Sequence, residues 1–100
     1  DFWTVFIEFW GEALHDRRLA AVNRHAYVRA RRLIGAALAR GRTDGTLRRV
    51  DLEDAAAVVL GLLDGLSLQL TFDRRLMTLP RAARLAETVL TRYLSPGDPT

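Results

Sequence analysis

One hundred residues carry fifteen basic and twelve acidic side chains, a formal net charge of +3, and every one of the fifteen cations is arginine. The arginines alternate with the carboxylates along the chain and form no single dense block, so the charge does not mark a nucleic-acid surface. There is no cysteine, which removes disulfides, thiolate metal sites and cysteine nucleophiles and leaves a reducing cytoplasm as the natural compartment. A chain of this length makes one domain, and its lone core covers a modest share of the surface, so a partner is expected.

The longest strongly apolar run without a charge, residues 55–63, is about half of the ~18 residues a membrane span needs. The first apolar stretch is interrupted by Glu8 and Glu12, so neither a signal peptide nor a membrane anchor is expected. The sequence starts at Asp1 without an initiating Met and reads as a piece of something longer.

Between the glycines and prolines the apolar residues recur at helical spacing, with no alternating strand pattern of useful length. The first helix is expected over residues 2–14. It sets Phe2, Phe6, Phe9 and Ala13 on one line and Trp3, Trp10 and Leu14 on the next, a wide aromatic surface. The second, over residues 17–40, carries Leu19, Val22, Ala26, Ala30, Leu33 and Ala37 at helical spacing and ends at Gly41, with one break allowed near residues 21–23. The third runs from an Asp51 cap to about Asp73, with Glu53 and Asp54 at the positive end of its dipole. Thr78 caps the fourth, Pro80 sits in its first turn, and Pro96-Gly97 follow its end near Ser95. The last three residues read as a tail.

The third helix is apolar on two sides. Leu52, Ala55, Val59, Leu63, Leu66 and Leu70 follow the spacing of a core stripe, and roughly opposite lie Ala57, Gly61, Gly65, Leu68 and Phe72, where a solvated face would carry charge. Glycine inside a helix costs about 1 kcal/mol relative to alanine. Two of them four residues apart therefore suggest a shallow groove for close approach, either by a second chain or at the edge of a ligand pocket. Asp64 beside them needs a partner, and an arginine across a dimer is the expected one; the alternative is a cationic ligand. On the fourth helix the apolar arc, which includes Leu85 and Val89, covers close to half the circumference, more than one contact needs. Pairing these two helices between copies would bury both surplus surfaces. The expected fold is all-α, a bundle of four to five helices, with the last two forming an intermolecular four-helix bundle. Ala57, Gly61, Asp64, Gly65, Leu68, Leu85 and Val89 are the expected interface.

In combination, several segments resemble the C-terminal regulatory domain of TetR-family bacterial transcription regulators. They are Phe6-Ile7-Glu8-Phe9-Trp10 followed by Ala13-Leu14-His15-Asp16; the Tyr27 and Arg31 helix ending in Gly41 and Gly45; Asp51 with Ala55-Ala56; and Leu63-Asp64-Gly65-Leu66. The resemblance covers essentially the whole chain. It implies a cytoplasmic homodimer built on the last two helices and a small effector bound among the central ones. It also implies DNA contact only through an N-terminal helix-turn-helix head, which this sequence lacks.

For the effector pocket the candidates are Trp3, Phe6 and Trp10, which suit a flat or hydrophobic ligand, together with Asn23 and Tyr27. Asn23 falls inside an apolar arc, where a buried amide must find a partner in protein, water or ligand, unless it marks a helix break. His15 and His25 lack metal-ligand spacing, and no metal or cofactor is expected. A small dimeric enzyme of chorismate-mutase type would enlist Arg29, Arg32 and Gln69, but such a site also uses a lysine, and there is none. The remaining alternatives are a bare dimerisation module and direct nucleic-acid binding through Arg48-Arg49 or Arg74-Arg75, pairs that more simply flank helix ends.

Overall fold

The computed structural model describes residues 2–96, so residue 1, residues 97–100 and the side chain of Phe2 lie outside the described residues. Four helices follow one another: α1 (Phe2–Ala13), α2 (Arg17–Thr43), α3 (Leu52–Phe72) and α4 (Leu79–Leu94). Each boundary has a local cause. The Asp16 carboxylate accepts the Arg18 and Leu19 amides at 2.9 and 3.3 Å and starts α2 three residues after α1 stops. Asp51 accepts the Asp54 amide at 2.9 Å, and the Thr78 hydroxyl accepts the Arg81 amide at 3.3 Å, as expected of caps for α3 and α4.

Helix α2 departs from expectation at both of its uncertain points. It runs unbroken through residues 21–23, and it continues past Gly41 to Thr43. The stop is Gly45, whose φ of 76° only glycine adopts at little cost; its amide bonds to the Arg42 carbonyl and the Thr46 amide to the Gly41 carbonyl. Gly41 has a different task. A Cβ there would meet Leu47 Cγ at 2.7 Å, because Leu47 folds back over the last turn into the core.

That core sits at one end of the molecule, where Leu38, Ala55 and Leu94 gather Ile34, Leu47, Val50, Leu52, Leu90 and Tyr93 around them. The Arg48 amide donates to the Leu94 carbonyl at 2.8 Å, and its guanidinium lies 5.4 Å from the Tyr93 ring centroid, fastening the α2–α3 connection to the end of α4.

Elsewhere the buried apolar residues are mostly alanines, while Phe72, Leu63, Val58 and Val89 remain exposed. Leu63 was expected in the core stripe and is 43% exposed, because the helices form a thin layer instead of closing around it. The molecule measures 50 × 34 × 17 Å with a radius of gyration of 15.8 Å, against ~13 Å for a typical 100-residue domain. Its accessible surface of 7843 Å² exceeds the ~5,700 Å² expected for a folded monomer of this mass. By length and composition α3 is apolar enough to cross a membrane, contrary to what its short uncharged run suggests. Its central carboxylate, Asp64, is nonetheless satisfied within the protein.

Candidate functional site

Trp3, Phe6 and Trp10 stand at i, i+3 and i+7 on α1 and so share a face. Their rings meet one another at centroid distances of 6.0 to 6.4 Å in tilted or edge-on geometry. Tyr27 of α2 extends the set, 6.3 Å from Trp10. Ala26 and Ala30 of α2 are short enough to leave room between the helices, and Leu60 and Asp64 of α3 close the third side. The cleft between them, open to solvent on one side, has a volume of about 130 Å³, near the ~150 Å³ that admits a benzene-sized guest.

The one ionisable acid in the wall is Asp64. Its Oδ2 accepts a hydrogen bond from the Tyr27 hydroxyl at 2.6 Å, across 37 residues of sequence. Burial, reinforced by the bond to Asp64 and by the charge of Asp64, pushes the Tyr27 hydroxyl up to about 12, with Arg31 opposing. The phenol therefore keeps its proton at neutral pH and holds one oxygen of the carboxylate, whose charge faces an aromatic chamber. The Trp10 indole nitrogen is buried and has no hydrogen-bond acceptor among the described residues.

Within the chain the hydrogen-bond partner of Asp64 is Tyr27, and the carboxylate lines the chamber. Gly61 and Gly65 are not part of the chamber wall, and a Cβ at either would meet no atom within 4 Å. They lie on the open side of α3 with Ala57 and half-buried Leu68. On α4, Leu85 is half-buried and Val89 exposed. Asn23 is half-buried one turn before Tyr27, outside the chamber wall.

Arg29, Arg32 and Gln69 are all exposed, and none lines the chamber. Both histidines are exposed as well, and no group of three or more metal-ligating side chains occurs among the described residues.

The chain is a C-terminal domain of the TetR family of transcription regulators, as its match to a family model shows. Within that class the chain belongs to the BetI-type transcriptional repressor C-terminal family, whose model matches residues 1–95. The fold is also that of a transcriptional regulator from Saccharomonospora viridis solved in complex with choline, with a TM-score of 0.89 and 20% identity over 95% of this chain. The match covers 50% of that protein, so this chain spans about half its length. No curated protein matches the chain.

Proposed function

We propose that this domain senses a small quaternary ammonium compound of the choline class and transmits its binding through a homodimer to an N-terminal DNA-binding head in the cytoplasm. The observation that carries the reading is a carboxylate set in an aromatic box: Asp64 with Trp3, Phe6, Trp10 and Tyr27. Ring faces attract a cation by about 0.5–2 kcal/mol each, most when water is excluded. A neutral hydrophobic ligand, the expectation from sequence, would leave the Asp64 charge uncompensated in an apolar cavity. Methylated nitrogen fits the walls better than a primary amine, because a carboxylate at one side cannot satisfy all three N–H donors of an ammonium and the rings offer no further acceptors. The hydroxyl of a choline-like molecule would give the buried Trp10 donor the acceptor it lacks. That a protein of the same fold was solved with choline supports the assignment.

The exposed apolar side of α3, including Ala57, Gly61, Gly65 and Leu68, and the outer side of α4 with Val89 and Leu85 are the proposed dimer surface. A second layer laid there makes a four-helix bundle and brings the thickness to that of an ordinary domain.

Titration of the tryptophan fluorescence with choline tests the sensing role, since two of the four rings in the box are indoles. Saturable quenching is expected, with affinity falling about 10-fold or more in Asp64→Asn as the charge-assisted contact is lost. No response in a folded chain would leave a dimerisation module without an effector.

A further inference from the structure

Trp3 forms a wall of two cavities. One is the aromatic box; the other, about 530 Å³, lies between the start of α1, the last turn of α3 and the α3–α4 connection, and is lined by Leu70, Met77 and Leu79 besides Trp3. The outer chamber is held in place by its own hydrogen bonds. Asp73 accepts the Arg75 and Leu76 amides and fixes the connection, which buries Met77 as the chamber floor. Of its two threonine hydroxyls, Thr71 donates to the Ser67 carbonyl at 3.0 Å, and Thr78 accepts from the Arg81 amide. What the outer chamber offers a ligand is mainly apolar surface, from Trp3, Leu70, Met77 and Leu79.

Resting on the quaternary ammonium reading of the box, we propose that the two cavities form one composite site for a cationic amphiphile. Its trimethylammonium head occupies the box against Asp64, and its alkyl or acyl chain passes the edge of Trp3 into the chamber of Leu70, Met77 and Leu79. The box alone is filled by a head group, and the volume beyond Trp3 is about four times larger. A chain there removes apolar surface from water on both partners.

Calorimetric titration of the chain with tetramethylammonium and with butyl-, hexyl- and octyltrimethylammonium, each below its micelle concentration, tests the proposal. The expected result is affinity rising by up to about fourfold per methylene over the first members and then levelling as the chamber fills. Hexamethonium, which would set a second cation in the apolar outer chamber, should bind more weakly than hexyltrimethylammonium. Leu79→Asp, at a position 70% exposed and in the first turn of α4, should flatten the chain-length dependence and leave tetramethylammonium affinity unchanged. A flat series in the unmodified chain, with tetramethylammonium still binding, overturns the composite site and spares the box. Chain-length dependence that survives Leu79→Asp overturns it too, because the tails would then be adsorbing elsewhere. Failure of tetramethylammonium to bind at all overturns the head-group reading and the composite site with it.

Discussion

Tyr27 and Asp64 divide the work of the box between them. Asp64 brings charge, and Tyr27 holds one of its oxygens by a 2.6 Å bond while presenting a ring to the same chamber. Because the Tyr27 hydroxyl is pushed up to about 12, above the ordinary tyrosine value, the stability it contributes is complete below about pH 10 and is lost as pH rises through about 12. An ultraviolet titration of the chain minus that of Tyr27→Phe isolates this group; a midpoint near 12 is expected, and one at the ordinary value of about 10 would show that the hydroxyl is neither buried nor bonded to Asp64. Ligand charge follows from the same pair. No cationic side chain lines the box, so a zwitterion such as a trimethylated amino acid meets an unbalanced Asp64 and should bind about 10-fold or more weakly than choline in the same titration. At this scale the sequence was partly legible. The i, i+3, i+7 spacing of Trp3, Phe6 and Trp10 marks a shared face, and Tyr27 stands out as a polar-tipped ring in an apolar arc. The direction of Asp64 was not legible, because it lies seven residues after Ala57, within about 20° of the same helical line, and its partner is 37 residues away. Asn23 attracted attention for its polarity, but the chamber is bounded on α2 by Ala26, Tyr27 and Ala30.

Among the elements, helix ends carry the clearest tests. Asp16 satisfies two amides at the start of α2 and was not singled out as a cap, although an Asp just before a helical run is the signal for one. Asp16→Ala should cost about 1 kcal/mol by chemical denaturation. Gly45→Ala forces a Cβ into a left-handed conformation and should cost a similar amount, about 1–2 kcal/mol. The caps at Asp51 and Thr78 were readable because the side chain and its amide are three residues apart. The true end of α2 was not: Gly41 and Gly45 are both plausible stops, and only the fold of Leu47 over Gly41 assigns one to packing and the other to the turn. Gly61 and Gly65 separate an isolated helix from a paired one. In a lone chain alanine at either meets nothing and should stabilise α3 by about 1 kcal/mol. On a surface where a partner helix lies close, the double change Gly61→Ala with Gly65→Ala should instead shift sedimentation equilibrium toward monomer.

At the scale of the whole molecule, composition and periodicity were enough for the all-α class, the four helices and the surplus of apolar surface. How the helices are layered was not available from periodicity, which says that a helix has two apolar sides and not which neighbour covers each. The thin layer supplies the answer for one side: α1 and α2 cover the flank of α3 that bears Leu60 and Asp64, and the opposite flank is left open. Sensing and pairing therefore meet on one helix, with the box on one flank of α3 and the proposed partner on the other. A shift of α3 when the box fills would reach the second copy directly. Everything in this account depends on a cation entering the box. The most direct measurement is the proton NMR spectrum of choline with the chain, with nuclear Overhauser contacts assigned to the aromatic protons. The account predicts N-methyl signals shifted upfield by the surrounding rings, with contacts to Trp3, Phe6, Trp10 and Tyr27. Bound choline with unshifted methyls and contacts to other residues, or no contacts at all, would contradict it.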